Sequence, residues 1–371
     1  MRCGSVTRAA YKQLEGHAHT ASFRSHTEWI AIESSRRTVF FAFLMDAQHA
    51  AFFGHVPSLS VNDVQLPLPC DDALWECASL SDLRQGLSRT PGSLQFLTVL
   101  NSLMKGRALP SVCSTYSKSI LLHGLFSIVA HLKSREATIL GTGISCSQIN
   151  SLQDASPLSP GSDWRQILSR AVTLCFQPST TTLESPCIRS MRTLQRMAQM
   201  LIYVNILDFH IMVQTHSLHV HYLSSTDISF VETRMKAWVH DSNGKIALRE
   251  ALLLIRETIF IGRTYQARED NIPLRPWCLY HAVLLCWVYS HMASINNAHA
   301  VTVSSIRSRK MPADEYVTRF LISLEVGEPS FEHVADIHNL VTVVRDCLRG
   351  CRWELLQEAY KTLDRLTRVF P

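Results

Sequence analysis

Between residues 28 and 54 the apolar positions Trp29, Ile32, Phe40, Phe43 and Ala47 recur at steps of three, four or eight, with Glu33, Ser34 and Arg37 between them. That spacing puts the apolar side chains on one stripe of a helix. Pro57, Pro67 and Pro69 then forbid a continuous helix through the next stretch, because each proline fixes its own φ and biases its predecessor to extended geometry. Helical spacing resumes near 80–85, 93–105, 115–135, 163–175, 186–223, 228–240, 245–265, 275–295, 312–325 and 331–369. No set of short alternating segments bounded by turn residues predicts a β-sheet. No period of 30–50 residues marks a solenoid. The pattern predicts an all-α fold, an irregular multi-helix array of about ten helices around one core.

Residues 141–162 (GTGISCSQINSLQDASPLSPGS) are rich in Ser, Gly and Pro with no apolar period, and predict a surface loop. A second break is expected at 268–276, around Pro273 and Pro276. Residues 1–27 read as an N-terminal remnant, partly disordered, ahead of one domain over 28–371. Two apolar runs, 38–53 and 277–293, are short of the roughly 20 apolar residues a membrane span needs. The first contains Asp46, Gln48 and His49 and the second His281 and His291, so both predict buried core helices and no membrane partner.

Composition sharpens this picture. Charged residues are 18% of the 371, against roughly 25% in ordinary soluble proteins, and mean hydropathy is +0.05; helices buried on more than one face follow. The net charge of +5 is mild, and its densest cluster is Arg307, Arg309 and Lys310. A nucleic-acid reader concentrates basic residues on one face, and this chain does not. Eleven cysteines include no Cys-x2-Cys pair, and Cys347-x3-Cys351 has no His partner at finger spacing. The first sixteen residues hold no apolar run of the kind a secretory signal needs, so reduced thiols in a cytosolic or nuclear compartment are expected.

The densest constellation lies between Trp29 and Trp75. Glu33, Arg36 and Arg37 fall at i, i+3 and i+4 and share a helical flank where they can form ion pairs. Asp46 sits in an otherwise apolar run and needs a donor, either an Arg or a backbone N–H from the loop that follows. Leu66-Pro67-Leu68-Pro69-Cys70-Asp71-Asp72 is stiffened by its prolines, and Asp71 or Asp72 can cap a short helix carrying Trp75. Arg36 and Arg37 have the chemistry to hold phosphate, but the apolar helix around them favours a structural network with Glu33 and Asp46.

These residues resemble the signature of the fungal-specific transcription factor domain, also called the xylanolytic activator regulatory domain. The matching positions are Glu33, Arg36, Arg37, Phe43, Asp46, Gly54, Pro57, Leu66, Pro67, Pro69, Cys70, Asp71, Asp72 and Trp75. The Cys-Asp-Asp-Ala-Leu-Trp form is closest to members whose DNA reader is a pair of two-Cys, two-His fingers. Weaker matches follow in the same order: Asn243-Gly244 with Ala247-Leu248-Arg249, then Arg275-Pro276-Trp277-Cys278-Leu279-Tyr280, then Asp346, Leu348, Trp353, Glu354, Leu355 and Leu356. The resemblance implies a nuclear regulatory region of a zinc-dependent, DNA-binding regulator of RNA polymerase II genes. It implies co-regulators or transcriptional machinery as partners, and a homo- or heterodimer. Zinc and DNA are implied only for the finger region, which this sequence lacks; a truncated gene model, a fragment or a finger-less paralogue is expected. No catalytic, cofactor-binding or metal-binding residue is expected within the chain.

Two rival readings have residues behind them. One is a free-standing helical interaction module. The other is a helical magnesium/diphosphate enzyme, suggested by Asp71-Asp72-x3-Glu76. That chemistry needs carboxylates a turn apart on one helical face, whereas Pro67 and Pro69 place these aspartates at a helix start. The matching second motif is absent, since Asp241-Ser242-Asn243-Gly244-Lys245 puts lysine where a hydroxyl ligand belongs. His216, His219 and His221 also suggest a metal, but 221 points away from the face that 216 and 219 share. No glycine-rich phosphate cradle or G-x-S-x-G elbow occurs.

Overall fold

The structure, a computed structural model, describes residues 12, 23, 25–89, 92–141, 163–177, 186–216, 225–261, 265–270, 272, 274–296, 311–326 and 337–369. Most of the 1–27 segment, the 142–162 loop, the Arg307–Lys310 cluster, His219 and His221 lie outside the described residues. The fold is all-α: the described residues contain no strand, only a single antiparallel bridge between Pro67 and Gln95. The chain divides into two compact units, Met1–Met191 and Arg192–Pro371.

In the first unit, helix α1 (His26–Phe53) starts at Ser25, whose Oγ accepts the Glu28 N–H, and ends at Gly54. Gly54 holds φ 73°, a left-handed C-terminal cap that glycine adopts without steric cost, and returns its N–H to the Ala50 carbonyl at 2.9 Å. A single 3₁₀ turn (Val61–Asp63) and the proline strap 64–71 lead to the four-residue α2 (Asp72–Trp75) and then α3 (Leu80–Arg89). α4 (Phe96–Met104), α5 (Thr115–Gly141) and α6 (Trp164–Cys175) follow. α1 lies along α5, with α4 and α6 packed on α5. The α1 rings of Phe40 and Phe43 meet Phe96 edge-on at 5.6 and 5.7 Å. A separate cluster of Trp29, Leu74 and Leu83 seats the strap end and α3 on the start of α1.

α7 (Pro186–Tyr203) runs across the division between the units. The second unit continues with α8 (Ile206–His216), α9 (Ser225–His240), α10 (Ser242–Ile255), α11 (Leu274–Asn296), α12 (Ala313–Val326), α13 (Ile337–Cys347) and α14 (Glu354–Val369). α11 is its axis: every residue from Trp277 to Ser290 is buried, with α8, α9, α10, α13 and α14 against it. A helix apolar on all sides can exist in water only when so surrounded, which is how the low charge content is accommodated.

Several helix spans differ from their periodicity. The run 186–223 breaks at Val204–Asn205, where the Asn205 side chain accepts the Leu207 N–H at 3.2 Å and starts a new helix. The run 245–265 begins earlier, at Ser242, and closes in a π-turn at Arg256–Phe260. The run 331–369 is two helices, parted where Gly350 takes φ 77°. α3 also extends four residues past 85.

Candidate functional site

The Trp29–Trp75 constellation folds into a clamp between α1 and the strap. Glu33 is fully buried, so its charge needs several donors. Its Oε2 accepts from Arg36 Nη1 at 2.5 Å, and its Oε1 accepts from Arg37 Nε at 3.2 Å and from the Cys70 backbone N–H at 2.9 Å. Arg37 then carries the link outward. Its Nη2 donates to the Cys70 carbonyl at 3.2 Å and lies 3.6 Å from Asp72 Oδ1. Its guanidinium stands 4.5 Å from the centroid of Trp75 and 5.5 Å from that of Tyr116, within cation–π range.

The strap is held on its other side too. The Leu68 N–H donates to the Leu94 carbonyl at 2.7 Å, and the Phe96 N–H to the Leu66 carbonyl at 3.2 Å. Between those bonds sits Pro67, which has no N–H and faces Gln95 in the bridge. Pro69 offers its carbonyl to Ser117 Oγ at 3.4 Å. Tyr116 donates its hydroxyl to the Arg37 carbonyl at 3.3 Å. Burial, then the negative charge of Glu33, pushes the Cys70 thiol up to about 12, so it is a packed thiol and a poor nucleophile.

The other signature residues take structural posts. Asp71 is the N-cap of α2, accepting the Ala73 N–H at 3.2 Å, and Asp72 begins the helix beside Arg37. Trp75 lies 6.1 Å from Trp29. Asp46 departs from the expected ion-pair network. Its carboxylate accepts the backbone N–H groups of Ser58 and Leu59, at 3.2 and 2.8 Å. Those donors lie in the loop just beyond α1, a shorter route than the helical turns separating Asp46 from Arg36.

The second unit has comparable anchors that residue spacing does not reveal. Arg196 bridges Glu250 at 2.7 Å and Glu257 at 2.8 Å, joining α7 to α10 and its π-turn. Asp270 accepts from Tyr265 Oη at 2.9 Å and pairs with Arg275 at 3.2 Å. Gly244 is forced: a Cβ there would come within 2.2 Å of the Trp238 carbonyl oxygen. Ser242 and Asn243 turn their side chains onto the Asp241 carboxylate, at 3.1 and 2.7 Å, and Trp353 sits 6.3 Å from Trp277.

The aspartate-rich box does not present a metal face. Asp71 and Asp72 stand at a helix start engaged by Ala73 N–H and Arg37, and Glu76 is the C-cap of the same short helix. Among the described residues no three His, Cys, Asp or Glu side chains are grouped to hold a metal ion. No described helix is long and apolar enough to cross a membrane. A cavity of about 500 Å³ opens beside the clamp, walled by Trp29, Leu68, Leu74 and Leu87 with Arg36 and Glu33 at one side.

Comparison with known proteins finds likenesses for the part of the chain that holds this clamp. Residues 5–177 match the fungal specific transcription factor domain. Over nearly the whole chain the sequence is similar to two proteins of Schizosaccharomyces pombe. It is 24% identical to zinc finger protein klf1, over 98% of this chain and 46% of that protein. It is 23% identical to zinc finger protein zas1, over 91% of this chain and 37% of that protein. It is 22% identical to the nicotinate catabolism cluster-specific transcription factor of Emericella nidulans, over 90% of this chain and 38% of that protein. The chain thus spans less than half the length of these relatives. No solved structure matches.

Proposed function

We propose that this chain, whose residues 5–177 match the fungal specific transcription factor domain, is the regulatory helical region of a larger nuclear transcription factor, whose DNA reading is done by zinc fingers this sequence does not contain. One observation carries the reading. Each charged group of the clamp is engaged by another part of the same chain, Glu33 by three donors and Arg37 by Glu33, Cys70 and Asp72. Such a site sets the shape of a surface and transforms no substrate. The region acts by presenting that surface to co-regulators or a second regulator subunit, and so sets the output of the DNA-bound protein without enzymatic chemistry.

The test is a tethered reporter. The full chain is fused to a heterologous DNA-binding domain upstream of an RNA polymerase II promoter, beside the DNA-binding domain alone and a fusion carrying Glu33→Gln. The wild-type fusion is expected to shift reporter output and the variant to return it toward that of the DNA-binding domain alone. Equal output from all three, at matched protein levels, refutes the proposal. A gel shift of the chain by itself supplies the complementary check, because a salt-sensitive, sequence-selective shift would place DNA reading within these residues.

A further inference from the structure

We propose that the outer face of α1 is a docking seam for a second copy of this chain, the two α1 helices lying antiparallel. On that helix Phe41 is 60% exposed, Met45 39%, Phe53 38% and Ile30 36%. No other described helix turns more than two large apolar side chains to solvent. Ala31, Ser34, Thr38, Phe41, Met45 and Gln48 follow one another along this face in alternating steps of three and four. That is the 3.5-residue repeat by which one helix meets another along a seam.

The seam carries no charge. The charged residues of α1 are Glu28, Glu33, Arg36, Arg37 and Asp46. Glu28 sits in the first turn, Glu33 and the two arginines are drawn into the clamp, and Asp46 is turned to the amides of Ser58 and Leu59. The solvated face of a surface helix is ordinarily charged and polar, so this one has the make-up of a face to be covered. Its Thr38 resists burial little, because Thr38 Oγ1 donates to the Ser34 carbonyl at 2.8 Å and keeps its hydrogen bond inside the helix. An acidic or basic partner would be stripped of water against a surface that offers its charges nothing. The partner that fits is an uncharged helical face, and α1 is itself one.

A two-fold axis crossing α1 at the level of Val39 and Phe40 maps the seam onto itself. Phe41 then meets Thr38 of the second copy, Met45 meets Ser34, and Gln48 meets Ala31. Each layer sets a large side chain on a small one, as close packing requires, whereas a parallel pair would set Phe41 on Phe41 and Ala31 on Ala31. No like-charge contact opposes the pairing, and antiparallel helices bring opposite dipole ends together. With 28 residues, α1 is about 42 Å long and about 10–12 Å across, so the pairing covers on the order of 900 Å² over both copies. That is below the roughly 1,200 Å² where stable interfaces begin, and suits a dimer that forms at micromolar concentration. The inference rests on the regulatory reading for the second subunit it names, but self-association is measured without transcription. A monomeric chain leaves the reporter result standing, and a silent reporter leaves the dimer standing.

Sedimentation velocity on the full chain from about 1 to about 200 µM tests the proposal, a range that brackets the micromolar Kd of an interface this size. The wild-type chain should pass from monomer to dimer across it. Phe41→Glu and Met45→Glu each place a charge at an exposed position, so both should keep the wild-type far-UV spectrum and Tm. Each should weaken the dimer by about tenfold or more, since pairing would bury a charge without a partner. Mixing Phe41→Glu with Thr38→Lys should restore a dimer, because the antiparallel register sets the new carboxylate on the new ammonium; a parallel pair would not bring them together. The proposal is overturned if the wild-type chain stays monomeric at the top concentration, which leaves the seam to some other partner. It is equally overturned if folded Phe41→Glu or Met45→Glu dimerises as wild type does, or if the mixture restores nothing.

Discussion

Replacing Glu33 by glutamine removes one charge and little volume, and its cost can be worked from the clamp geometry. Glutamine Oε1 can still accept the Cys70 N–H, but its amide presents donors to an arginine where a carboxylate presented acceptors. Arg36 loses its 2.5 Å partner and Arg37 loses one of its two carboxylates, keeping Asp72 at 3.6 Å. Removing one member of a buried ion pair costs about 3–5 kcal/mol. The two guanidinium groups keep some contact with solvent, so the low end applies, about 3 kcal/mol. For a unit of this size 1 kcal/mol moves Tm by about 2–4 °C, so the transition of the first unit should fall by about 6–12 °C. Differential scanning calorimetry separates this from the second unit, where Tm should hold. A double-mutant cycle with Arg37→Gln should give a coupling of about 1–3 kcal/mol. A Glu33→Gln chain that melts within about 2 °C of wild type, or a cycle with no coupling, shows that the clamp is decorative and refutes the reasoning.

Three further outcomes follow from other sites. Asp46→Ala strips two loop amides of their acceptor and should cost about 1.5–3 kcal/mol, visible as faster proteolysis between Gly54 and Ser60; cleavage at the wild-type rate contradicts it. His123 is buried in α5, its Nδ1–H donating to the Ser119 carbonyl at 2.8 Å, and burial lowers it to about 4. An unfolded-chain histidine protonates near 6.5, so the unfolded state binds more protons between those values; stability is whole above pH 6.5 and declines by about 3 kcal/mol as pH falls to 4. In urea titrations, His123→Leu should flatten that part of the pH profile in the first unit, and an unchanged slope would count against it. Gly244→Ala drives a methyl into the Trp238 carbonyl and should cost about 2 kcal/mol in the second unit's transition, whereas a neutral effect would show that the α9–α10 corner yields.

The helical class was legible because apolar residues recur at helical steps throughout and nothing alternates. The strap was legible because Pro67 and Pro69 dictate extended backbone whatever surrounds them, and the cap at Asp71 follows from that. The break at Val204–Asn205 was hidden inside an apolar run without glycine or proline, its only local sign being an asparagine able to cap. Gly350 is the local sign of the break between α13 and α14, since a positive φ there suits glycine. The partner of Asp46 stayed open between an arginine and loop amides, since a sequence does not say how the chain turns after α1. Tyr116 on Arg37 and Arg196 on Glu250 could not be read at all, because 79 and 54 residues separate the partners and no periodicity links them.

The enclosure of α11 bears on how the chain is made. The stretch from Trp277 to Ser290 holds no charged residue, and two of its covering layers, α13 and α14, are encoded after it. At about 5–20 residues per second, the 79 residues from Ser290 to the end of α14 at Val369 take about 4–16 s to synthesise. For that interval the ribosome carries a sticky, uncovered helix, and a chaperone that recognises apolar segments has its binding site there before the protein has its fold.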